Sequence, residues 1–106
     1  MNKFQNLPDL FFNKANLNSN KEHLLKLDNS SNQIKSLKWS DTTNLVYKIH
    51  SFLENKKLSD FDRVLLVSEN RPEWMASDIA IMSSKLVAVP NYTTYTSRDF
   101  EHILND

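Results

Sequence analysis

The spacing of apolar residues changes several times along the chain, and each stretch predicts one structural element. Apolar residues that recur every three or four positions predict helices over residues 7–18, 41–56, 71–84 and 97–105. Short apolar runs separated by polar turns predict a β-hairpin over 23–39 and single strands over 63–68 and 86–90. This order predicts an α/β fold in which a hairpin is followed by a strand–helix–strand unit with flanking helices.

Polar residues in front of the helical stretches predict where the helices begin. Pro72 suits the first turn of the third helix, and Glu73 is placed to reach back to the cap Asn70 as in a capping box. The predicted capping residues, in chain order, are Asn6, Ser40–Asp41, Asn70 and Thr96–Ser97.

The same pattern predicts which surfaces are buried. The second helix should bury one apolar stripe, formed by Leu45, Val46, Ile49, Phe52 and Leu53. The run Val64–Val67 is apolar throughout, which favours a strand covered on both faces. The run Leu86–Val89 predicts the next strand, and Pro90 should end it because proline cannot donate to a strand ladder.

The strand–helix–strand order between Arg63 and Val89 is a βαβ unit, whose strands run parallel through a right-handed crossover. Ligands of open parallel sheets bind beyond the carboxyl ends of the strands. Those ends are Ser68–Asn70 and Pro90–Thr94, so the pattern places any ligand site there. Because two strands leave open edges and uncovered faces, we expect a piece of a larger α/β domain.

Charge and hydropathy exclude several classes of protein. The 13 basic and 13 acidic residues give no net charge, whereas a nucleic-acid binder or a protein held on anionic lipid needs a basic face. The apolar runs are too short to span a bilayer. The first residues do not form a signal peptide, so we expect a cytoplasmic protein.

The chain contains neither cysteine nor glycine. The lack of cysteine excludes a disulfide framework, a thiolate nucleophile and cysteine-ligated zinc. The lack of glycine excludes a GxGxxG dinucleotide turn and a GxxxxGK[ST] phosphate loop, since each needs glycine where the backbone approaches phosphate.

Residues that could carry chemistry have simpler structural interpretations. The histidines His23, His50 and His102 have no partner at a spacing typical of metal ligands, which predicts no metal site. Asp60 and Asp62 flank a turn, and we interpret them as turn formers rather than as an acid–base pair.

Polar residues near the last helix are interpreted in the same way. Asp99 and Glu101 lie in its first turns, where acidic side chains suit the helix dipole. The hydroxyl-rich segment Tyr92–Ser97 offers donors to a phosphate or polar substrate, but we favour a strand-to-helix loop that ends in a capping residue. Trp39 and Trp74 are interpreted as packing anchors. The sequence therefore predicts no catalytic, cofactor-binding or metal-ligating residue.

The segment Ser68–Trp74 resembles the N-terminal region of AMP-forming acyl-CoA synthetases, especially the long-chain fatty acid CoA ligases. The resemblance continues in the family's order over roughly residues 7–106. Its other segments are Trp39–Ser40, Asp62–Val64, Asp78–Met82, Val87–Pro90, Tyr92–Thr94 and Phe100–Asp106.

Two residues depart from the family pattern, because Phe61 and Lys85 stand where the family usually has glycine. Lys85 follows a predicted helix, a place where glycine readily takes a left-handed conformation. If the family geometry is kept, lysine should cost about 1 kcal/mol relative to glycine.

The resemblance implies that residues 1–106 are a partial N-terminal AMP-binding domain of an adenylate-forming enzyme. The full-length family enzyme uses ATP and Mg²⁺ to convert a fatty acid into acyl-adenylate and pyrophosphate, and CoA then displaces AMP. The family's phosphate loop and catalytic lysine lie later in its chains, so this piece is expected to be inactive alone. The implied partners are the remainder of the ligase and a fatty acid, and peripheral membrane association of the whole enzyme is compatible with the resemblance.

Two other classes of function stay open beside the ligase. A stand-alone α/β interaction or regulatory module would be a stable monomer or dimer. A small-molecule binding domain that uses the threonine-rich loop would bind its ligand saturably.

Overall fold

The computed structural model describes residues 4–106, which form four helices and four strands. The α/β class, the hairpin, the strand–helix–strand unit and the flanking helices agree with the prediction. None of the helices in this range is long and apolar enough to cross a membrane. The elements are α1 (Leu7–Leu17), β1 (Glu22–Asp28), β2 (Gln33–Lys38), α2 (Trp39–Asn55), β3 (Arg63–Val67), α3 (Pro72–Ser83), β4 (Val87–Asn91) and α4 (Ser97–Asn105).

The strands form two separate pairs. Strands β1 and β2 are antiparallel, and β3 and β4 are parallel with Leu65 opposite Val89. The predicted end of the last strand is wrong, because Pro90 lies inside β4 opposite Leu66. Within residues 4–106 β4 is paired on one side only. An edge strand of this kind tolerates a residue that has no N–H.

Helices α2 and α3 pack against each other and form the centre of the core. Val46 of α2 and Ala76 and Ala80 of α3 have no exposed surface. Because alanine carries only a methyl group, the two helix backbones can approach closely at this contact. Phe11 brings α1 onto the same cluster.

The predicted apolar stripe of α2 is confirmed except at Phe52. The four residues that pack in or against the core are Leu45, Val46, Ile49 and Leu53. Phe52 is 57% exposed, and the amino group of Lys56 lies 4.8 Å from the centre of its ring. A cation over an aromatic face is a favourable contact at a solvated surface.

Strand β3 is less covered than its apolar sequence predicts. Val64–Leu66 are half-buried and Val67 is 42% exposed, so the expectation of cover on both faces is wrong for the described residues. Helix α3 packs against β3 and β4, whereas α1 and α2 pack on α3. The helices therefore form two successive layers, with α3 next to the parallel strands and α1 and α2 packed on α3.

Two helix starts agree with the predicted caps. The side chain of Asn6 accepts a hydrogen bond from the Asp9 N–H at 2.8 Å. At the start of α4, Thr96 Oγ1 accepts from the Asp99 N–H at 3.3 Å, and the Asp99 carboxylate accepts from the Thr96 N–H at 2.8 Å. This reciprocal pair is a capping box.

The predicted cap Ser40–Asp41 is wrong, because α2 begins earlier, at Trp39. The N–H of Trp39 donates to the Lys21 carbonyl at 3.1 Å, and the N–H of Ser40 donates to the Ser19 carbonyl at 3.0 Å. The backbone before β1 thus satisfies the free donors of the first helical turn. Asp41 still contributes, since its carboxylate accepts from the Lys38 N–H at 2.8 Å.

The predicted cap Asn70 is also wrong, because the residue that precedes α3 is Arg71. The carboxylate of Glu73 accepts from Arg71 Nε at 2.9 Å and does not form the predicted capping box with Asn70. Pro72 does occupy the first turn of α3.

The two residues that replace the family's glycines both have left-handed backbone conformations. The φ angle is 67° at Phe61 and 59° at Lys85. They meet directly, because the Phe61 N–H donates to the Lys85 carbonyl at 2.8 Å. Beside this bond, the Val87 N–H donates to the Asp62 carbonyl at 2.9 Å. The expected geometry at Lys85 is therefore confirmed, and it links the end of α3 to the turn before β3.

A stack of rings joins the hairpin to α1 and α2. The His23 ring of β1 lies on the Trp39 indole, with 3.7 Å between centroids and 18° between planes. Phe11 of α1 lies 6.0 Å from the same imidazole. His23 Nδ1 is 3.0 Å from the hydroxyl of the fully buried Thr42. These contacts confirm Trp39 as a packing anchor, and burial lowers the pKa of His23.

Replacing Lys85 with glycine should raise the free energy of unfolding by about 1 kcal/mol, because glycine reaches a positive φ without a Cβ clash. The change Phe61→Gly should act in the same direction. Lys56→Gly is the matched control, since Lys56 has a φ of −80° and glycine there should be destabilising. Urea unfolding followed by circular dichroism measures all three, and a loss of stability in Lys85→Gly would contradict backbone strain at this residue.

The free energy of unfolding should also decrease at acidic pH, because His23 is protonated more readily in the unfolded chain than in the folded one. Because its pKa is lowered in the folded chain, the unfolded chain takes up the proton first as the pH falls. The contribution of the neutral ring should be complete above about pH 6.5 and diminish below it. The melting temperature should fall between pH 7.5 and pH 5.5, and thermal melts should show a smaller fall for His23→Phe than for the native chain. The exposed control His102→Phe should show the same fall in melting temperature as the native chain. An equal fall in all three proteins would refute the role of His23 in acid destabilisation.

Candidate functional site

A cleft of about 530 Å³ lies beyond the carboxyl ends of the parallel strands. Its walls are Ser68–Asn70, Trp74 and Pro90–Thr94. The two loops that the sequence predicted as the ligand edge therefore meet in one strand-end cleft. The parallel register of β3 and β4 brings them together, because both strands end at the same edge.

Aromatic side chains form much of the strand-end cleft. Trp74 comes from the first turn of α3 and is half-buried, so one part of its indole packs while another faces the cleft. Tyr92 is 70% exposed and meets Tyr95 edge to face at 5.5 Å. Tyr95 in turn lies 5.9 Å from Phe100 of α4. The predicted loop Tyr92–Ser97 therefore contacts α4 through its aromatic rings and also supplies the capping residue of that helix.

Several polar groups of this cleft are bound to nearby backbone. The Asn91 amide donates to the Val89 carbonyl at 3.0 Å, and the Ser68 hydroxyl donates to the Glu69 carbonyl at 2.9 Å. Glu69 is the one charged residue among those that line the cleft. The lining therefore suits an uncharged polar or planar group, and it offers no pair of side chains for acid–base catalysis.

An ion pair stands beside the strand-end cleft, at the start of α3. Arg71 Nε and the Glu73 carboxylate are 2.9 Å apart. The hydrogen bond from Arg71 lowers the pKa of Glu73, and the same bond raises the pKa of Arg71. Each charge thus favours the ionised form of the other, and the pair lies next to the loop that carries one wall of the cleft.

The histidines lie in three different places. His23 belongs to the ring stack, and His102 lies on the surface of α4. His50 of α2 has Nδ1 2.7 Å from the Ser84 hydroxyl and Nε2 3.8 Å from the Glu54 carboxylate. No group of three or more histidines, cysteines and acidic residues between positions 4 and 106 is arranged to hold a metal ion.

Sequence reasoning missed both polar contacts of His50. The pairing with Glu54 had a signal, since residues four apart share a helix face. The contact with Ser84 had none, because it joins α2 to the end of α3 and depends on the packing of the two helices.

The acidic residues take the roles of turn and cap formers. Asp62 accepts from the Ser59 N–H at 2.9 Å, which confirms its interpretation as a turn residue. Hydrogen bonds from Thr96 lower the pKa of Asp99. A missed case is Asp28 in the hairpin turn, where hydrogen bonds from Ser30 and Ser31 hold the carboxyl pKa far below its usual range. Asp60 and Glu101 are exposed.

Comparison with known proteins gives the family. The family model described as AMP-binding enzyme matches residues 11–106. Fatty acyl-CoA synthetase A of Dictyostelium discoideum is 40% identical over 57 residues, which are 54% of this chain and 8% of that protein. The chain is thus a small part of the length of this relative.

Solved structures show the same fold. The crystal structure of IdnL1 matches with a TM-score of 0.87 and 20% identity, over 98% of this chain and 21% of that one. A fatty acid AMP ligase from Legionella pneumophila matches with a TM-score of 0.80 and 18% identity, over 96% of this chain and 18% of that one. The N-terminal subdomain of NpsA from Klebsiella oxytoca matches with a TM-score of 0.79 and 19% identity, over 93% of this chain and 24% of that one. Because the family model covers nearly the whole chain and these structures share its fold, this protein belongs to the AMP-binding enzyme family and has the fold of the N-terminal part of adenylate-forming enzymes.

Proposed function

We propose that this chain is the N-terminal part of a fatty acyl-CoA ligase that accepts long-chain fatty acids. The observation that supports a fatty acid substrate is the 40% identity to the Dictyostelium fatty acyl-CoA synthetase over 57 residues. The structural neighbours are 20% identical or less, so they support the fold and leave the choice of acid to the closer relative. In the whole enzyme the reaction would join a fatty acid to CoA, with ATP cleaved to AMP and pyrophosphate.

ATP, Mg²⁺ and CoA are the cosubstrates and metal that this proposal requires. The residues of this chain do not fit the nucleotide phosphates, because it has no glycine for a phosphate loop. The acidic residues that the structure describes do not form a group suited to Mg²⁺. We therefore assign no step of the reaction to these residues and place the chemistry in other parts of the ligase.

The contribution of this chain would be structural. The α2–α3 contact and the parallel pair hold the strand-end cleft in shape, and the exposed apolar residues of the hairpin and α4 offer surface to a neighbouring part of the enzyme. Leu25, Ile34 and Leu104 are each more than half exposed, at 63%, 69% and 70%. Apolar side chains of this kind gain stability when another layer covers them. A cytoplasmic location stays part of the proposal.

A chimeric enzyme tests the proposal. Residues 11–106 replace the corresponding part of the Dictyostelium fatty acyl-CoA synthetase A, and acyl-CoA is measured by mass spectrometry with a long-chain fatty acid, ATP and CoA. The chimera should form acyl-CoA and release pyrophosphate, because the exchanged part keeps the fold and supplies no reacting group. The 106-residue chain alone should form neither product.

The matched control carries Ala80→Glu in the same chimera. Ala80 has no exposed surface, and a buried carboxylate there should disrupt the α2–α3 contact and abolish activity. A soluble chimera that melts like the parent enzyme but releases no pyrophosphate with any fatty acid would count against the proposal. Activity with an aromatic acid and none with a fatty acid would keep the ligase class and overturn the substrate.

A further inference from the structure

A single negative charge lies in the wall of the strand-end cleft, on Glu69. None of the three ion pairs within 4.0 Å in the described part of the chain includes Glu69. The cations Lys26 and Arg71 line a neighbouring cleft that Glu69 also borders, and Arg71 Nε is bound to the Glu73 carboxylate at 2.9 Å. Glu73 also offsets the positive end of the α3 dipole, which would repel a cation. The charge of the strand-end cleft therefore favours a positive ligand.

Two polar side chains of the cleft have already used hydrogen-bond donors. The Ser68 hydroxyl gives its one proton to the Glu69 carbonyl at 2.9 Å, so its oxygen can only accept. The Asn91 amide nitrogen donates to the Val89 carbonyl at 3.0 Å, and the oxygen of that amide is an acceptor. Together with the Glu69 carboxylate, these acceptors suit a ligand that carries several N–H donors.

Two aromatic side chains give the cleft flat surfaces. Trp74 is half-buried in the wall, and Tyr92 is 70% exposed. Tyr95 meets Tyr92 edge to face at 5.5 Å and so supports the exposed ring from one side. The face of an aromatic ring carries negative potential, which attracts a cation, and a planar cation can also stack on it. The rings and the carboxylate therefore favour the same kind of ligand.

We propose that the strand-end cleft binds a guanidinium group, with its plane against the Trp74 and Tyr92 rings and its N–H groups paired with the Glu69 carboxylate. The guanidinium of arginine is planar, stays charged, and has five N–H donors and no acceptor. An uncharged planar group would use the rings but leave the carboxylate unpaired. An ammonium ion is compact and more strongly hydrated, and it has no flat face to stack.

An NMR titration of the nitrogen-labelled 106-residue chain tests this site without ATP, CoA or a fatty acid, so its outcome is independent of the ligase proposal. The chain has two tryptophans, and Trp39 does not line this cleft. Butylguanidinium should shift the indole N–H signal of Trp74 saturably and leave that of Trp39 in place. Butylurea has the same planar shape without the charge, and it should bind about threefold more weakly or less tightly still.

Variants at exposed residues separate the charge from the aromatic surface. Glu69→Gln should abolish the preference for butylguanidinium over butylurea, because the amide carries no charge. Glu101→Gln is the matched control and should keep the preference, since Glu101 is exposed on α4 and outside the cleft. Tyr92→Ser should weaken butylguanidinium about threefold, as expected for loss of a solvated cation–π contact. Tyr47→Ser should leave it unchanged, because Tyr47 is 54% exposed and outside the cleft.

The carrier of the guanidinium group is tested with a capped Ala–Arg–Ala peptide. Binding at least as tight as that of butylguanidinium, lost when lysine replaces the arginine, would assign the cleft to an arginine side chain of a polypeptide. Weaker binding of the peptide would assign it to a small alkylguanidine.

Three results would overturn the proposal. Equal shifts of both indole signals would mean unspecific binding to the chain. Equal affinity for butylguanidinium and butylurea, unaffected by Glu69→Gln, would mean stacking without recognition of the charge. Butylammonium that binds as tightly as butylguanidinium, or affinity unaffected by Tyr92→Ser, would mean that the flat face of the cation is not recognised.

Discussion

The contact between α2 and α3 is the constraint on which the rest of this small structure depends. Val46, Ala76 and Ala80 are fully buried there, α1 packs on both helices, and the hairpin packs on α2. A chain of this length has little apolar interior, so one close helix pair provides much of what is buried. Larger side chains at Ala76 or Ala80 would separate the helices and loosen every element that packs on them.

The geometry at the end of α3 follows from this packing. The chain must leave α3 and return as β4 beside β3, and it turns at Lys85 with a positive φ. Phe61 turns in the same way before β3, and the hydrogen bond between Phe61 and Lys85 joins the two turns. A chain without glycine keeps this geometry by accepting backbone strain, which means that the surrounding packing is strong enough to impose it. The strand-end cleft benefits, because the two turns fix the register in which β3 and β4 reach their far ends.

The sequence predicted the elements well because each has its own local signal. Asn6 and Thr96 cap their helices through neighbours three residues away, and such contacts can be inferred from spacing alone. The start of α2 could not be inferred, because the donors of Trp39 and Ser40 are satisfied by residues before β1. The exposure of Phe52 likewise could not be inferred. It depends on how much of the α2 surface is covered by α3, and the spacing of apolar residues does not give that width.

The position of the strand-end cleft could be predicted, but its detail could not. The rule for parallel strands located the strand-end cleft, since it needs only the order of the elements. The half-buried position of Trp74 and the contact of His50 with Ser84 both depend on distances between elements far apart in the chain.

The lining of the strand-end cleft is polar and aromatic but carries little charge. Among the lining residues that the structure describes, Glu69 is the only charged one, and the nearby Arg71 is paired with Glu73. A cleft made of aromatic faces, hydroxyls and amides can hold a group by shape and by hydrogen bonds. Trp74 of α3 forms one wall of the cleft, and α3 packs on α2, so the shape of the cleft depends on the α2–α3 contact.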